Sequence, residues 1–164
     1  MNNVLRFLSF AIILLIGSSC NNNDAQRKFE AEAYGPVTGF TETDNQQNII
    51  SKDDDDWRIS PIYAGLIDIE PVFPNPLLYG SVAYLEVTLN GAPISSFMQL
   101  GFLNYQDQWT PIQQQDVTSD FDVLTFVIDS RIFGSNAELA RGLHRLLLFD
   151  GGQRLVTYGD IQID

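Results

Sequence analysis

The chain has 164 residues, 45% of them hydrophobic, with nine Lys and Arg against 21 Asp and Glu. The formal charge of −12 disfavours nucleic acid as a partner, and no cluster of Lys or Arg overrides it. This length allows one domain with a real core and excludes two full domains.

The N-terminus has the three parts of a secretory signal. Arg6 and the free amine form a positive start, an apolar stretch follows at 7–16, and the small residues 17–19 form a cleavage region. The apolar stretch is too short to span a bilayer, which needs roughly 20 residues. We therefore expect residues 1–19 to be a signal peptide that is removed.

The only cysteine, Cys20, follows this signal directly. The sequence IGSSC at 16–20 resembles the lipobox of bacterial lipoproteins, with Gly17 where a Leu is usual. The resemblance implies that a diacylglycerol is attached to the Cys20 thiol and that Cys20 becomes the first mature residue. Two or three acyl chains would then hold the protein on a membrane. The alternative is an ordinary secretory cleavage after Ser19.

Residues 21–56 are dominated by Asn, Gln, Asp, Glu, Thr and Ser, with apolar residues scattered singly. Such a segment has little apolar area to offset an ordering cost of about 1–2 kcal/mol per residue. We expect residues 20–56 to comprise the lipidated cysteine and a flexible tether. A short strand around Ile49 and Ile50 is the alternative for that part.

The densest charge run in the chain is Asp53, Asp54, Asp55 and Asp56. Consecutive like charges repel one another and favour a solvated spacer. A calcium site is the alternative, since hard cations prefer carboxylate oxygens. The run lacks, however, the Asp-x-Asp-x-Asp-Gly spacing that wraps ligands around one ion.

From Trp57 onward the sequence favours strands. Residues 82–89 alternate with period two, as in a half-buried strand, and Asn90-Gly91 supplies a turn. The predicted strands occupy 57–60, 62–70, 82–89, 97–105, 109–113, 123–129, 143–149 and 155–163. The one predicted helical turn runs from Ser135 to Arg141 and ends at Gly142, with Ser135 or Asn136 as its cap.

About seven or eight short strands without long helices between them predict an all-β fold. We expect an immunoglobulin-like antiparallel β-sandwich over residues 57–164, with a small barrel as the alternative.

Two short motifs carry a second resemblance. Residues 71–76, PVFPNP, resemble the Tyr-Pro-Asn-Pro turn of immunoglobulin-like C-terminal domains in secreted Bacteroidota proteins, including type IX sorting domains. Residues 139–146, LARGLHRL, resemble the Leu-x-x-Gly-x-Tyr-x-Leu segment of the same family. Phe73 and His144 stand where the family has Tyr. The resemblance implies an immunoglobulin-like β-sandwich in a protein of the Bacteroidota.

His144 is the only histidine, so a histidine metal cluster is excluded and a Ser-His-Asp mechanism would need this ring. No Gly-x-Ser-x-Gly elbow accompanies it. We expect its polar tip to bond a nearby backbone group, as in the tyrosine-corner type of motif.

Aromatic residues make up 12% of the chain and are most simply core residues. The alternative is a platform for a sugar ring or a peptide, and Trp109 with Tyr105 is then the candidate ligand-binding pair. Asp120, Asp122 and Asp129 are the carboxylates available for glycoside hydrolysis.

Together these patterns predict a lipid-anchored protein of the bacterial cell envelope, on the outer membrane, with its periplasmic or surface face left open. We expect a monomeric, non-enzymatic binding or accessory module without a cofactor. Its partners would be the membrane, through Cys20, and a protein or glycan. The alternatives are an assembly component whose exposed sheet edge accepts a partner's strand, and an envelope hydrolase using carboxylates.

Overall fold

The computed structural model describes residues 24–94, 96–106 and 108–164, and within these ranges it has ten strands in three antiparallel sheets. The strands are β1 (Glu42–Thr43), β2 (Ile49–Ser51), β3 (Arg58–Ile59), β4 (Ile67–Phe73), β5 (Val82–Leu89), β6 (Phe97–Leu103), β7 (Trp109–Asp116), β8 (Val123–Asp129), β9 (Gly142–Asp150) and β10 (Leu155–Ile163). The larger sheet has the order β3-β10-β9-β6-β7, the smaller sheet has the order β4-β5-β8, and β1 pairs with β2. Within the described ranges the two main sheets share no strand, so the predicted all-β antiparallel sandwich is confirmed.

Short helical pieces complete the described part of the chain: α1 at 24–33, α2 at Ala137–Ala140, and 3-10 turns at Pro61–Tyr63 and Ser130–Ile132. α2 confirms the predicted helical turn, because the Asn136 side chain accepts a hydrogen bond from Leu139 N and β9 begins at Gly142. Among the described residues, no helix has both the length and the apolar character needed to cross a membrane. The predicted signal peptide at 1–19 and Cys20 lie outside the described residues.

The main core lies between the two sheets. Leu85 and Val87 of β5 and Phe126 of β8 point inwards from the smaller sheet, as the period-two pattern predicts. They share this core with Leu100 of β6 and Leu148 of β9. All five side chains are fully buried, and each contributes roughly 1.5–3 kcal/mol to folding.

A second, smaller core lies on the outer face of the larger sheet, where α1 packs. Phe29 and Ala33 of α1 are fully buried there together with Leu147 of β9 and Tyr158 of β10. The ring centres of Phe29 and Tyr158 are 5.2 Å apart. α1 therefore adds a third layer to the sandwich.

The flexible tether predicted for 20–56 is wrong for its described part, residues 24–56. This segment is polar on average, but Phe29 and Ala33 are spaced i, i+4 and therefore share one face of a helix. One short apolar stripe is enough when a sheet face is available to receive it. The folded domain thus includes residues 24–56 in addition to the predicted 57–164.

The chain after α1 is tied to both sheets. Thr43 Oγ1 donates to Val72 O of β4 at 2.8 Å, and Asp56 Oδ1 accepts a hydrogen bond from Asp160 N of β10 at 3.0 Å. Between these two attachments, β1 and β2 form a hairpin. β2 confirms the short strand that was the alternative at 49–50.

The turn after β4 docks on the edge of β10 through Asn75. Its buried side chain donates from Nδ2 to Thr41 O at 2.9 Å and to Asp160 O at 3.0 Å, while Oδ1 accepts from Gln162 N at 2.9 Å. Leu77 N then donates to Gln162 O at 2.8 Å. The turn therefore takes the place of a neighbouring strand along this part of β10.

Two glycines of the larger sheet lie beneath tryptophan side chains. Trp57 covers Gly159 of β10 and Trp109 covers Gly101 of β6, and a Cβ at either glycine would overlap the indole. The flat ring fills the space of the side chain that the strand lacks. Close approach of the indole, and not a positive φ, is what requires glycine at both positions.

We expect Gly159→Ala to lower the free energy of unfolding by about 1–3 kcal/mol, because the added methyl group forces the buried Trp57 indole to move. Urea denaturation of the wild type and the variant measures this loss. In a Trp57→Leu background the same Gly159→Ala change should cost less than half as much. Equal costs in the two backgrounds would contradict the proposed contact.

Candidate functional site

The candidate ligand-binding residues Trp109 and Tyr105 lie in two different depressions. The first, here called the sheet groove, has a volume of about 390 Å³ and is lined by Phe97, Gln99, Trp109, Phe149, Asp150, Gly151 and Gln153. The second, here called the end cleft, has a volume of about 520 Å³ and is lined by residues within 34–37, 102–105, 132–133, Leu139 and 143–145. The structure therefore does not combine Trp109 and Tyr105 in one site.

In the sheet groove, Trp109 acts mainly as a packing residue. Its ring meets Phe149 edge-on, with ring centres 5.6 Å apart, and it lies over Gly101. It also contacts the smaller core beneath α1. The ring is only half-exposed. This leaves little of it for stacking against a sugar, which requires an open aromatic face.

The end cleft has an exposed apolar rim. Tyr105 is 92% exposed, Leu139 is 65% exposed and Tyr34 is 57% exposed, and Ile132 adds a fourth exposed apolar side chain. Single exposed apolar residues are ordinary, but several around one concavity mark an interaction surface.

Local structure fixes each part of this rim. Tyr34 follows the last turn of α1, and Leu139 lies on α2, which the Asn136 cap holds in place. Tyr105 lies in the turn between β6 and β7, where Asn104 Oδ1 accepts hydrogen bonds from Gln106 N at 2.9 Å and Gln108 N at 3.1 Å. The rim is therefore presented by three separate elements.

His144 forms part of the lining of the end cleft. Its ring stacks on Phe133 with 4.4 Å between ring centres, and Nε2 donates to Ala140 O at 2.7 Å. The backbone bond predicted for this histidine is thus confirmed. Burial lowers the pKa of the His144 ring, so it stays neutral near pH 7. It joins β9 to the end of α2 and shapes the cleft.

A third depression, of about 710 Å³, lies where the turn after β4 meets β5. Its exposed large apolar residues are Leu78 and Val82 only, within the described part of the chain. It offers a partner a smaller apolar surface than the end cleft does.

Beneath α1, a buried charge cluster joins the helix to the sheet. Arg145 Nη2 donates to Asp160 Oδ2 at 2.8 Å, and Arg145 Nε donates to Asp160 Oδ1. Arg145 Nη1 donates to two backbone carbonyls at the end of α1, Glu32 O at 3.1 Å and Ala33 O at 3.0 Å. The guanidinium carbon lies 5.0 Å from the centre of the Tyr158 ring. One cation therefore neutralises a sheet carboxylate and caps a helix.

Asp56 is the fourth residue of the acidic run and belongs to the same cluster. Its Oδ2 accepts from Thr41 N at 2.6 Å and its Oδ1 accepts from Asp160 N at 3.0 Å. Burial, with the nearby charge of Asp160, raises the pKa of Asp56 to about 7. Burial also raises the pKa of Asp160, although Arg145 opposes this change.

The four aspartates of the acidic run thus have different environments. Asp56 is buried, whereas the side chains of Asp54 and Asp55 are 96% and 80% exposed. The solvated spacer predicted for the whole run is wrong for Asp56, because two backbone N–H groups compensate its removal from water. In the described ranges no group of three or more His, Cys, Asp or Glu residues is placed to hold a metal ion.

Asp129, one of the carboxylates considered for glycoside hydrolysis, does not have the environment of a general acid. Arg131 donates from Nε to Asp129 Oδ1 at 2.9 Å, and this bond lowers the pKa of Asp129 to about 2. A general acid requires a raised pKa. Asp122 accepts from Thr118 Oγ1 at 3.1 Å, and Asp120 is exposed.

The edges of the sheets bear on the strand-addition alternative. On β8, Val127 N donates to Gln113 Oε1 at 2.7 Å and Thr125 O accepts from Gln115 Nε2 at 3.0 Å, so glutamine side chains of β7 cover this edge. The edge of β10 is covered by Asp56, Trp57, Ser60, Asn75 and Leu77. Both edges are therefore occupied from within the chain.

No protein-family model matches the chain, and no curated protein matches it. Function is therefore inferred from the residues and their geometry.

We expect Arg145→Met to lower the free energy of unfolding by about 3–5 kcal/mol at pH 8, because it leaves Asp160 buried without a cation. The loss should be smaller at pH 5, where a proton can neutralise Asp160. Urea denaturation at the two pH values measures both losses. Arg131→Met is the matched control, since it breaks an exposed ion pair with Asp129 and should change stability little. An equal effect of the two variants would contradict the role assigned to Arg145.

Proposed function

We propose that this chain is a lipid-anchored, non-enzymatic binding module of the bacterial cell envelope, and that it binds a protein partner at the end cleft. The observation that carries the proposal is the exposed apolar rim of Tyr105, Leu139, Tyr34 and Ile132 around one concavity. Aromatic and aliphatic side chains of this kind supply the anchors of protein interfaces when a partner buries them.

The position of α1 supports this arrangement. The described part of α1 starts at residue 24, four residues after Cys20, and such a length of chain spans at most about 14 Å. The first half of α1 lies beside β3, since Ser60 Oγ donates to Gln26 Oε1 at 2.8 Å, whereas Tyr34 at its other end borders the cleft. An anchor at Cys20 would therefore hold the body close to the bilayer, with the end cleft at the far end of α1.

The chemistry of the rim favours a protein over a glycan. Sugars require hydrogen-bonding groups beside an open aromatic face, and the four exposed rim side chains offer only the phenol groups of Tyr34 and Tyr105. The sheet groove has Gln99, Gln153 and Asp150 for that purpose, but its Trp109 ring is half-buried. Asp150 is also already engaged by Tyr63 and Arg154. The glycan alternative is therefore assigned to the sheet groove.

The environment of the carboxylates supports a non-enzymatic role. The pair with raised pKa values, Asp56 and Asp160, is buried beneath the N-terminal segment and bonded to backbone N–H groups and Arg145. A hydrolase needs such a pair in an open cleft.

The second candidate function is assembly through a sheet edge. Its specific support is β2, where Ile49 and Ile50 are exposed on a hairpin at the side of the domain. Apolar side chains on a short outer strand can pair with a partner's strand.

We expect cells that express the chain to incorporate radiolabelled palmitate into it, and Cys20→Ala to lose the label, since only the Cys20 thiol can carry the diacylglycerol. Gel autoradiography of the precipitated protein measures the label. Ser19→Ala is the matched control and should keep the label, because Ala is also a small residue at the cleavage site. Label that persists in Cys20→Ala would refute the anchor.

We expect a photocrosslinking amino acid at position 105, in place of Tyr105, to capture one discrete protein in cells. Leu139→Asp should reduce this product at least about tenfold, since a charge at the rim opposes apolar contact. Val123→Asp is the control, because Val123 is similarly exposed but lies on the smaller sheet. Immunoblotting and mass spectrometry measure and identify the product.

Three outcomes would contradict protein binding at the end cleft. The first is no product from position 105, and the second is a product that Leu139→Asp leaves unchanged. The third is capture only from a probe at Ile49, which would favour the sheet-edge alternative. Saccharide on the captured species in place of protein would favour a glycan.

A further inference from the structure

We propose that residues 24–56, here called the latch, form a pH-responsive element that is held most firmly to the larger sheet under mildly acidic conditions and loosens as the pH rises to neutrality. The proposal concerns the attachment of the latch and does not depend on the proposed partner or on the lipid anchor. Its basis is the geometry of two buried carboxyl groups, Asp56 and Asp160, of which only Asp160 is bonded to the buried cation of Arg145.

The buried cluster joins two points of the latch, the end of α1 and Asp56, to the sheet. At the first point, Arg145 of β9 donates to Glu32 O and Ala33 O of α1. At the second point, Asp56 accepts from Asp160 N of β10 at 3.0 Å. The Arg145 to Asp160 ion pair connects these two contacts, and its side chains are only 6% and 4% exposed. The latch therefore cannot leave the sheet without opening the cluster.

The charges within this cluster do not balance. Asp56 and Asp160 together carry two negative charges when ionised, against the single positive charge of Arg145. Further ionisable groups nearby are Asp53, Asp55 and Glu32 on the latch, Arg58 on β3 and Tyr158 on β10. Arg58 is engaged by Glu32 at 2.9 Å and by Asp55 at 3.7 Å, and burial raises the pKa of Tyr158, which keeps it neutral. Two backbone N–H groups bond to Asp56, but none of these nearby groups supplies a second positive charge to offset its carboxylate.

A proton on Asp56 removes this excess of negative charge. In the docked latch the pKa of Asp56 is raised from its ordinary 3.8 to about 7, first by burial and then by the charge of Asp160. Once the latch is released, Asp56 returns to water and to its ordinary pKa. Between about pH 4 and 7 the docked state thus binds a proton that the released state does not.

The sign of the pH effect follows from this difference in bound protons. The docked state is most stable below about pH 4. Its stability falls as the pH rises from about 4 to the docked pKa of Asp56, about 7, and stays constant at higher pH. One proton corresponds to a change of up to about tenfold in the release equilibrium per pH unit.

Release of the latch should be local. α1 buries Phe29 and Ala33 against the sheet, and a helix as short as 24–33 is marginal in water once it loses such contacts. The main core between the sheets does not include these residues. Amides of α1 should therefore lose protection from exchange while those of β5 keep it.

Hydrogen–deuterium exchange of the full chain in mild detergent, between pH 5 and pH 8, tests the proposal. After correction for the intrinsic exchange rate, the opening equilibrium of the amides in peptides covering 24–34 should be at least about tenfold larger at pH 8 than at pH 5, as linkage to one proton predicts. Peptides covering 82–89 serve as the internal reference. Equal corrected protection of 24–34 at the two pH values, or greater protection at pH 8, would overturn the latch.

Two substitutions in the acidic run assign the effect to one carboxyl group. Asp56→Asn removes the titrating group. In this variant the opening of 24–34 should differ by less than about threefold between pH 5 and pH 8. Asp54→Asn makes the same change in charge at a side chain that is 96% exposed, and it should keep the wild-type profile. Equal flattening by both variants would overturn the assignment to Asp56. If Asp56→Asn does not fold, the wild-type profile alone decides the proposal.

Discussion

The buried guanidinium of Arg145 is the interaction on which the arrangement of this domain depends. A desolvated charge is tolerated only when its hydrogen bonds are satisfied, and Arg145 meets this condition through Asp160 and the last carbonyls of α1. These partners belong to the sheet and to the helix, so neither is fully satisfied without the other. The third layer of the sandwich is therefore held by charge pairing as well as by the apolar contact of Phe29.

The backbone groups along the edge of β10 are likewise satisfied by bonds from other parts of the chain. An unpaired strand edge exposes backbone groups that invite association with other chains. Here the turn with Asn75 and the segment from Asp56 to Ser60 bond to it in place of another strand. Gln113 and Gln115 do the same on β8 with side chains alone. The backbone groups along these parts of β10 and β8 are thus bonded from within the chain.

Much of the fold could be predicted from the sequence because its signals are local. Period-two alternation predicted β5 and β8, Ser135 and Asn136 were the candidate caps of α2, and the resemblance of the segment around His144 to a tyrosine-corner type of motif predicted its backbone bond. α1 could not be identified in this way, because only two of its apolar residues, Phe29 and Ala33, pack in the smaller core, and the segment around them is polar. The burial of Asp56 was equally hidden, since four identical residues give no local sign of which one meets Asp160. The rim of the end cleft comes from three distant elements, and no local pattern joins them.

The contacts of the N-terminal segment have a consequence for how the chain acquires its structure. Asp56 bonds to a residue 104 positions later, and Glu32 bonds to one 113 positions later. Contacts between residues so far apart in sequence form slowly, because the entropy lost in closing a large loop comes before the contacts stabilise the fold. During synthesis α1 therefore has no folded surface to join until β9 and β10 have been made. The described part of the N-terminal segment, from residue 24 to Asp56, completes its docking only when the last strand of the domain is available.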